Sequence, residues 1–178
     1  MEYTRLIKRC KEGNRKAQKE LYDHFAGRMF FLCQRYAKDQ TEAQDMLQEG
    51  FVRLFGNLEK FEGKGSFEGW ARRIFVNTAI KYYHRVRKHN GHDELGHAEA
   101  QKIDPDALSS LHEQELLGLV QELPEGYRAV FNLYAIEGYS HKEIADLLEI
   151  QESTSRSQLV KARKLLQMKI HNLQIVLL

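Results

Sequence analysis

The stretch that most constrains this chain is 138–166, GYSHKEIADLLEIQESTSRSQLVKARKLL. Its spacing predicts two short helices joined at an angle by a tight turn. Ser140 and Glu143 form an S-x-x-E capping box, which satisfies the first amide donors of a helix. Ile144, Ala145, Leu147 and Leu148 then give one apolar face, and Ala145 is small enough for a second helix to cross close by. Glu149-Ile150-Gln151 is too short for a loop with structure of its own, and Ile150 is expected to fill the space between the helices. The second helix starts near Glu152 and runs beyond Leu166. Its buried stripe is Ser155, Leu159, Ala162 and Leu166, at helical spacing. Its other faces carry Thr154, Arg156, Ser157, Gln158, Lys161, Arg163 and Lys164. Hydroxyls, amides and cations on a protruding helix suit the DNA major groove: short or forked donors meet base edges, and cations meet phosphates. An ordinary helical hairpin with a solvated basic face has the same pattern, so the rest of the chain must decide.

A length of 178 residues leaves room for one domain or two small ones. With only two prolines and few β-branched runs, the chain is expected to be all-α. The formal net charge of +2 hides an uneven distribution. Residues 1–38 carry +6, 63–90 carry +6 and 152–178 carry +4, whereas 91–126 carry −8. Basic segments separated by a strongly acidic one suggest two contacts with a polyanion and a connector that avoids it. Cys10 and Cys33 are too few for a disulfide framework, which fits a reducing, cytoplasmic setting. No stretch has the pattern of a membrane span or a secretory signal. The apolar Ile175-Val176-Leu177-Leu178 is far too short to cross a bilayer.

In chain order, residues 2–22 read as a basic amphipathic helix interrupted at Gly13-Asn14, and a second helix spans about Phe25–Lys38. Thr41 is the expected cap of a third, Glu42–Phe55, with the apolar stripe Ala43, Met46, Leu47, Gly50, Val52, Leu54 and Phe55. Asp45, Gln48, Glu49 and Arg53 are left on its polar face, where plain solvent exposure explains them. The connector 56–69 is glycine-rich. Its Gly63-Lys64-Gly65-Ser66 fits no G-x-x-x-x-G-K-[ST] phosphate loop, and no strand precedes it.

The second informative stretch is 67–88, FEGWARRIFVNTAIKYYHRVRK. Phe67, Trp70, Ala71, Ile74, Phe75, Thr78, Tyr82 and Val86 form a broad core face. Arg73, Asn77, Lys81 and Arg85 recur every four residues and so share one exposed face. Cations interleaved with rings and an amide suit a nucleic-acid single strand, the cations tracking phosphates and the rings and amide meeting unstacked bases. A solvated basic helix over an aromatic core fits equally well. The acidic segment that follows is the expected linker. His84, His89, His92 and His97 gather near its start, but no cysteine or second paired motif accompanies them, and no metal is expected. No nucleophile-and-base order or shaped carboxylate pair stands out, so no catalytic residue is expected. Helices resume at Leu108, with Leu111, Leu116, Leu119 and Val120 on one stripe. A further helix starts at Leu123-Pro124-Glu125 and ends at Glu137-Gly138.

With both basic helices placed, the chain resembles a bacterial RNA polymerase sigma factor of the extracytoplasmic-function group, over about residues 5–170. AQDMLQEGFVRLF (43–55) and SFEGWARRIFVNTAIKYYHRVRK (66–88) are similar to sigma region 2. LPEGYRAVFNLYAIEGYSHKEIADLLEI (123–150) and ESTSRSQLVKARKLL (152–166) are similar to region 4. The resemblance implies an all-α protein of two small helical domains: region 2 at 1–90, an acidic linker at 91–108, and region 4 with its helix-turn-helix at 109–178.

It also implies a function, namely binding core RNA polymerase and giving it promoter specificity, with no catalytic activity and no cofactor. Asp45, Gln48, Glu49 and Arg53 would dock on the polymerase. Lys64, Ser66, Trp70, Arg73, Asn77, Lys81 and Arg85 would meet minus-ten promoter DNA, with Asn77 at the family's base-reading position. Ser153, Thr154, Arg156, Ser157, Gln158, Lys161 and Arg163 would meet the minus-thirty-five duplex. An anti-sigma protein is a further expected partner, since members of the group are commonly held by one. The sequence departs from the family pattern at Glu149, where glycine is frequent, at Gln151, where serine or proline is frequent, and at Ser155, where an aliphatic residue is usual. Two other functions compete. One is a helix-turn-helix regulator with an N-terminal sensor or dimerisation module. The other is a metal-dependent hydrolase built on the histidines.

Overall fold

The structure, a computed structural model, describes the backbone of residues 3–90 and 113–177 and the side chains of 3–88 and 114–172. Every regular element among them is helical, as expected. The contacts divide the chain into two compact units, Met1–Tyr82 and Tyr83–Leu178. The expected linker, 91–108, lies outside the described residues.

In the first unit, α1 (Thr4–Lys11) ends before Gly13, which takes φ +77°. Asn14 then caps α2 (Arg15–Tyr36), its Oδ1 accepting the Ala17 amide at 3.0 Å. The expected break near residue 23 is absent. Leu21, Phe25, Met29 and Leu32 continue one buried stripe straight across it, so the helix gains by continuing. Helix α3 (Gln40–Gly56) is capped by Asp39, whose Oδ1 accepts the Glu42 amide at 2.8 Å, rather than by Thr41. Its buried residues are Ala43, Met46, Gly50, Phe51 and Leu54. Val52, expected in the core, is 67% exposed, because it lies about 200° around the helix from Gly50.

A short 3-10 turn, Leu58–Lys60, follows, and Lys11 reaches across to the Phe61 carbonyl at 3.0 Å. Helix α4 (Phe67–Asn90) opens at Ser66, whose Oγ accepts the Gly69 amide at 3.3 Å. Phe67, Ala71, Phe75 and Val76 are buried, and aromatic edges lock the helices together. Phe25 meets Phe67 at 5.5 Å between centroids, and Phe51 meets Phe75 at 5.2 Å.

In the second unit, α5 (Glu113–Gln121) leads through Pro124 to α6 (Glu125–Phe131). The buried Arg128 ties them, donating to the carbonyls of Gln121 at 2.7 Å and Leu123 at 3.2 Å. It thereby satisfies acceptors that a helix end leaves open. The one helix expected from Leu123 to Glu137 instead widens after Phe131 into a π turn, Asn132–Ile136. Asn132 is fully buried, and its side chain donates to the Arg128 carbonyl at 2.9 Å, competing with the main-chain ladder. Helix α7 (His141–Leu148) starts on the expected capping box and α8 (Glu152–Leu177) follows. Glu149 between them adopts the left-handed conformation, φ 53° and ψ 49°. Ser155, Leu159 and Ala162 are buried and Leu166 is partly so, as the stripe requires. Beyond it, Ile170 joins Leu119, with Leu116 and Leu166 packed against them.

Candidate nucleic-acid interfaces

On α8, Ser153, Arg156, Ser157 and Val160 are exposed, at positions that share one face of a helix. Arg156 pairs with Glu152 one turn earlier. Ser157 Oγ donates to the Thr154 carbonyl at 3.0 Å, and Thr154 itself is half-buried. Lys161 and Arg163 flank the face: the Lys161 ammonium sits 5.8 Å from the Tyr127 ring centre, and the Arg163 guanidinium 5.8 Å from that of Tyr134. Gln158 departs from expectation. It is only 6% exposed and packs on Gly126 of α6, where a Cβ would come within 3.0 Å of its Nε2. Three residues after Ser155 and four before Ala162, it lies on the edge of the buried stripe. Val160, 52% exposed, belongs to this face although it is not polar. Its place one turn after Arg156 is the signal that locates it. An exposed aliphatic group on such a face can meet a thymine methyl.

At the start of α7 the Ser140 amide donates to Glu143 Oε2 at 2.8 Å and the Ser140 hydroxyl to the same oxygen at 2.7 Å. These bonds hold the Glu143 carboxyl below its ordinary range. The His141 ring stacks on Tyr134 at 4.5 Å and 20°, and its Nδ1 lies 2.9 Å from Ser155 Oγ. Burial first, then the Arg156 charge, pushes its pKa below the ordinary imidazole value, with Glu152 opposing and Arg163 adding to the shift.

On α4, Arg73, Asn77, Lys81 and Arg85 are all exposed, so the four-residue spacing does bring them to one face. The opposite side is core, with Thr78 buried and its hydroxyl donating to the Ile74 carbonyl at 2.9 Å. Trp70 is half-buried between Phe61, at 5.3 Å, and Phe67, at 5.6 Å. Lys64 and Ser66 stand exposed in the loop before the helix, Lys64 in an ion pair with Glu62. Gly63 and Gly65 turn that loop with φ of +78° and +81°.

On α3, Asp45 and Gln48 are exposed, while Glu49 and Arg53 are half-buried and paired through Arg53 Nε at 3.0 Å. Val52 lies on this face beside them. Cys33 is buried and its thiol is pushed up to about 12, mainly by desolvation; Cys10 is raised for the same reason. Both thiols therefore stay protonated and unreactive near neutral pH. Among the described residues no group of three or more His, Cys, Asp or Glu could hold a metal, and His92 and His97 lie outside them. Among those residues, too, no helix is long and apolar enough to cross a membrane.

Comparison with known proteins matches these elements in order. The family model for sigma-70 region 2 matches residues 21–89, and that for sigma-70 region 4 matches 113–166. The ECF RNA polymerase sigma-E factor of Haemophilus influenzae is 27% identical, covering 94% of this chain and 95% of its own. The sigma-E factor of Escherichia coli K12 is 28% identical over 94% of each chain. The RNA polymerase sigma-H factor of Pseudomonas aeruginosa is 28% identical over 89% of each. Two solved structures share the fold. CnrH in complex with the cytosolic domain of CnrY has a TM-score of 0.50 at 21% identity, over 94% of this chain and 96% of that one. The sigma factor RpoE in complex with the anti-sigma factor NepR from Bartonella quintana has a TM-score of 0.52 at 19% identity, over 86% and 96%. With both regions matched in order and relatives aligned along most of its length, the chain belongs to the sigma-70 family of RNA polymerase sigma factors, in the extracytoplasmic-function group.

Proposed function

We propose that this chain binds core RNA polymerase and directs it to its promoters, acting in the cytoplasm as an initiation factor with no catalysis of its own. The observation that carries this reading is the presence in one chain of an exposed Arg73–Asn77–Lys81 face on α4 and a basic helix-turn-helix at α7–α8, within matched regions 2 and 4. A duplex-binding regulator would need only the second of these. In this reading region 2 occupies 1–90 and region 4 occupies 109–178, with 91–108 between them.

Asp45, Gln48, Glu49 and Arg53 dock on the polymerase. Arg73, Lys81 and Arg85 track the phosphates of the opened minus-ten strand, Asn77 reads a base edge, and Lys64, Ser66 and Trp70 shape the neighbouring loop and helix start. Ser153, Thr154, Arg156, Ser157, Lys161 and Arg163 meet the minus-thirty-five duplex, while Gln158 supports the helix from beneath. An anti-sigma protein is the expected regulator, since both solved neighbours with this fold were captured with a protein partner.

The test is run-off transcription with core polymerase on genomic fragments. Discrete, factor-dependent transcripts are expected, and reversing the charge at Asp45 should reduce core binding without loss of helicity. Duplex binding with no transcript and no polymerase binding would favour the regulator instead.

A further inference from the structure

We propose that His141 and Ser155 are positioning residues for minus-thirty-five recognition, their hydrogen bond fixing the rotation of α8 against α7. The proposal rests on α8 being the DNA-reading helix. Ser155 is fully buried in a stripe whose other members, Leu159 and Ala162, are apolar. A buried hydroxyl is retained only with a partner, and here the partner is Nδ1 of His141 at 2.9 Å.

The imidazole is itself held on several sides. His141 is the first residue of α7, directly after the Ser140–Glu143 capping box. Its face lies on Tyr134 from the π turn, and the Tyr134 ring carries the Arg163 guanidinium. One joint thus links α7, the π turn and, through Ser155 and Arg163, two positions about two turns apart on α8.

Such a joint has a physical use. Apolar burial is non-directional, so packing alone fixes the rotation of a helix less sharply than packing together with a buried hydrogen bond. A rotation of about 10° moves a helix surface of radius roughly 5–6 Å by about 1 Å, enough to misplace a base contact. A hydrogen bond has a preferred direction and resists that rotation. Ser155 is adjacent to Arg156, so whatever fixes one aims the other.

The experiment uses the full chain with core polymerase and compares transcription from promoters with matched and substituted minus-thirty-five elements. His141→Ala and Ser155→Val should each lower the preference for the matched element by roughly fivefold, the low end of one base contact. The double variant should do no worse than either single one, because both remove the same bond. Ser155→Thr, which keeps the hydroxyl, should retain wild-type preference. Ser155→Val overfills the buried site and leaves His141 without its partner, so thermal unfolding is followed in parallel: a purely structural role would lower the melting temperature and leave promoter preference intact. Unchanged preference in His141→Ala and Ser155→Val, or additive losses in the double variant, would overturn the joint. Arg156→Ala and Lys161→Ala run in parallel: if they too leave preference and affinity unchanged, the assignment of α8 to DNA fails instead.

Discussion

The ring of Phe75 on α4 occupies the space where a side chain at Gly50 on α3 would begin: a Cβ built there would lie 2.2 Å from the ring. Phe75 cannot easily retreat, since it is fully buried and edge-on to Phe51. Gly50→Ala should therefore destabilise the first unit by about 1–3 kcal/mol, the usual cost of overpacking a filled core. Adding Phe75→Leu should recover part of that loss, so the two changes should be strongly non-additive. Denaturant melts of the four proteins in the cycle check it; simple additivity would mean that the contact relaxes without cost.

Glu149 holds a left-handed backbone without being glycine. That conformation costs an L-residue roughly 1–2 kcal/mol. Glycine removes the penalty but loses about 0.5–1 kcal/mol of chain entropy on folding. Glu149→Gly should thus stabilise the second unit by up to about 1 kcal/mol. Glu149→Val should destabilise it, because a β-branched residue is poorly tolerated at positive φ. Equal unfolding midpoints for all three proteins would show that the turn relaxes in solution.

The lowered pKa of His141 has a defined sign in stability. Desolvation, with Arg156 and Arg163 on α8 outweighing Glu152, disfavours the imidazolium in the folded chain. The unfolded chain therefore binds the proton more readily, and stability is complete above the ordinary histidine value and declines as pH falls through it. The unfolding temperature should fall between about pH 7.5 and about 5.5, and His141→Gln should flatten part of that slope. Identical pH profiles for wild type and variant would remove His141 from the effect.

Asn77 is exposed on the same face as Arg73 and Lys81. Asn77→Ala should change stability by less than about 0.5 kcal/mol and leave polymerase binding intact. Its amide can read a base edge only after that base leaves the stack. Open-complex formation, followed by permanganate footprinting, should fall in a manner that depends on minus-ten sequence. A premelted template should restore activity to the extent that Asn77 assists melting. Wild-type opening on every template would deny it the role, and a large drop in melting temperature would make it structural.

Much of this protein was legible in the sequence because the forces involved are local. The Ser140–Glu143 box joins residues three apart, and the stripe of Ser155, Leu159, Ala162 and Leu166 follows from 3.6 residues per turn. The same period put Arg73, Asn77, Lys81 and Arg85 on one exposed face, as the structure bears out. Only tertiary structure decided the rest, because those outcomes depend on groups distant in the chain. Gln158 looked like a surface amide until α6 brought Gly126 over it. Val52 looked like core until Phe51 took the side facing Phe75 and Tyr22. The helix after Leu123 widened because Asn132 was buried and its amide bonded to a main-chain carbonyl. A periodic pattern specifies that a face is apolar; which neighbour covers it, and which polar group at its edge is drawn in, is settled by packing between elements.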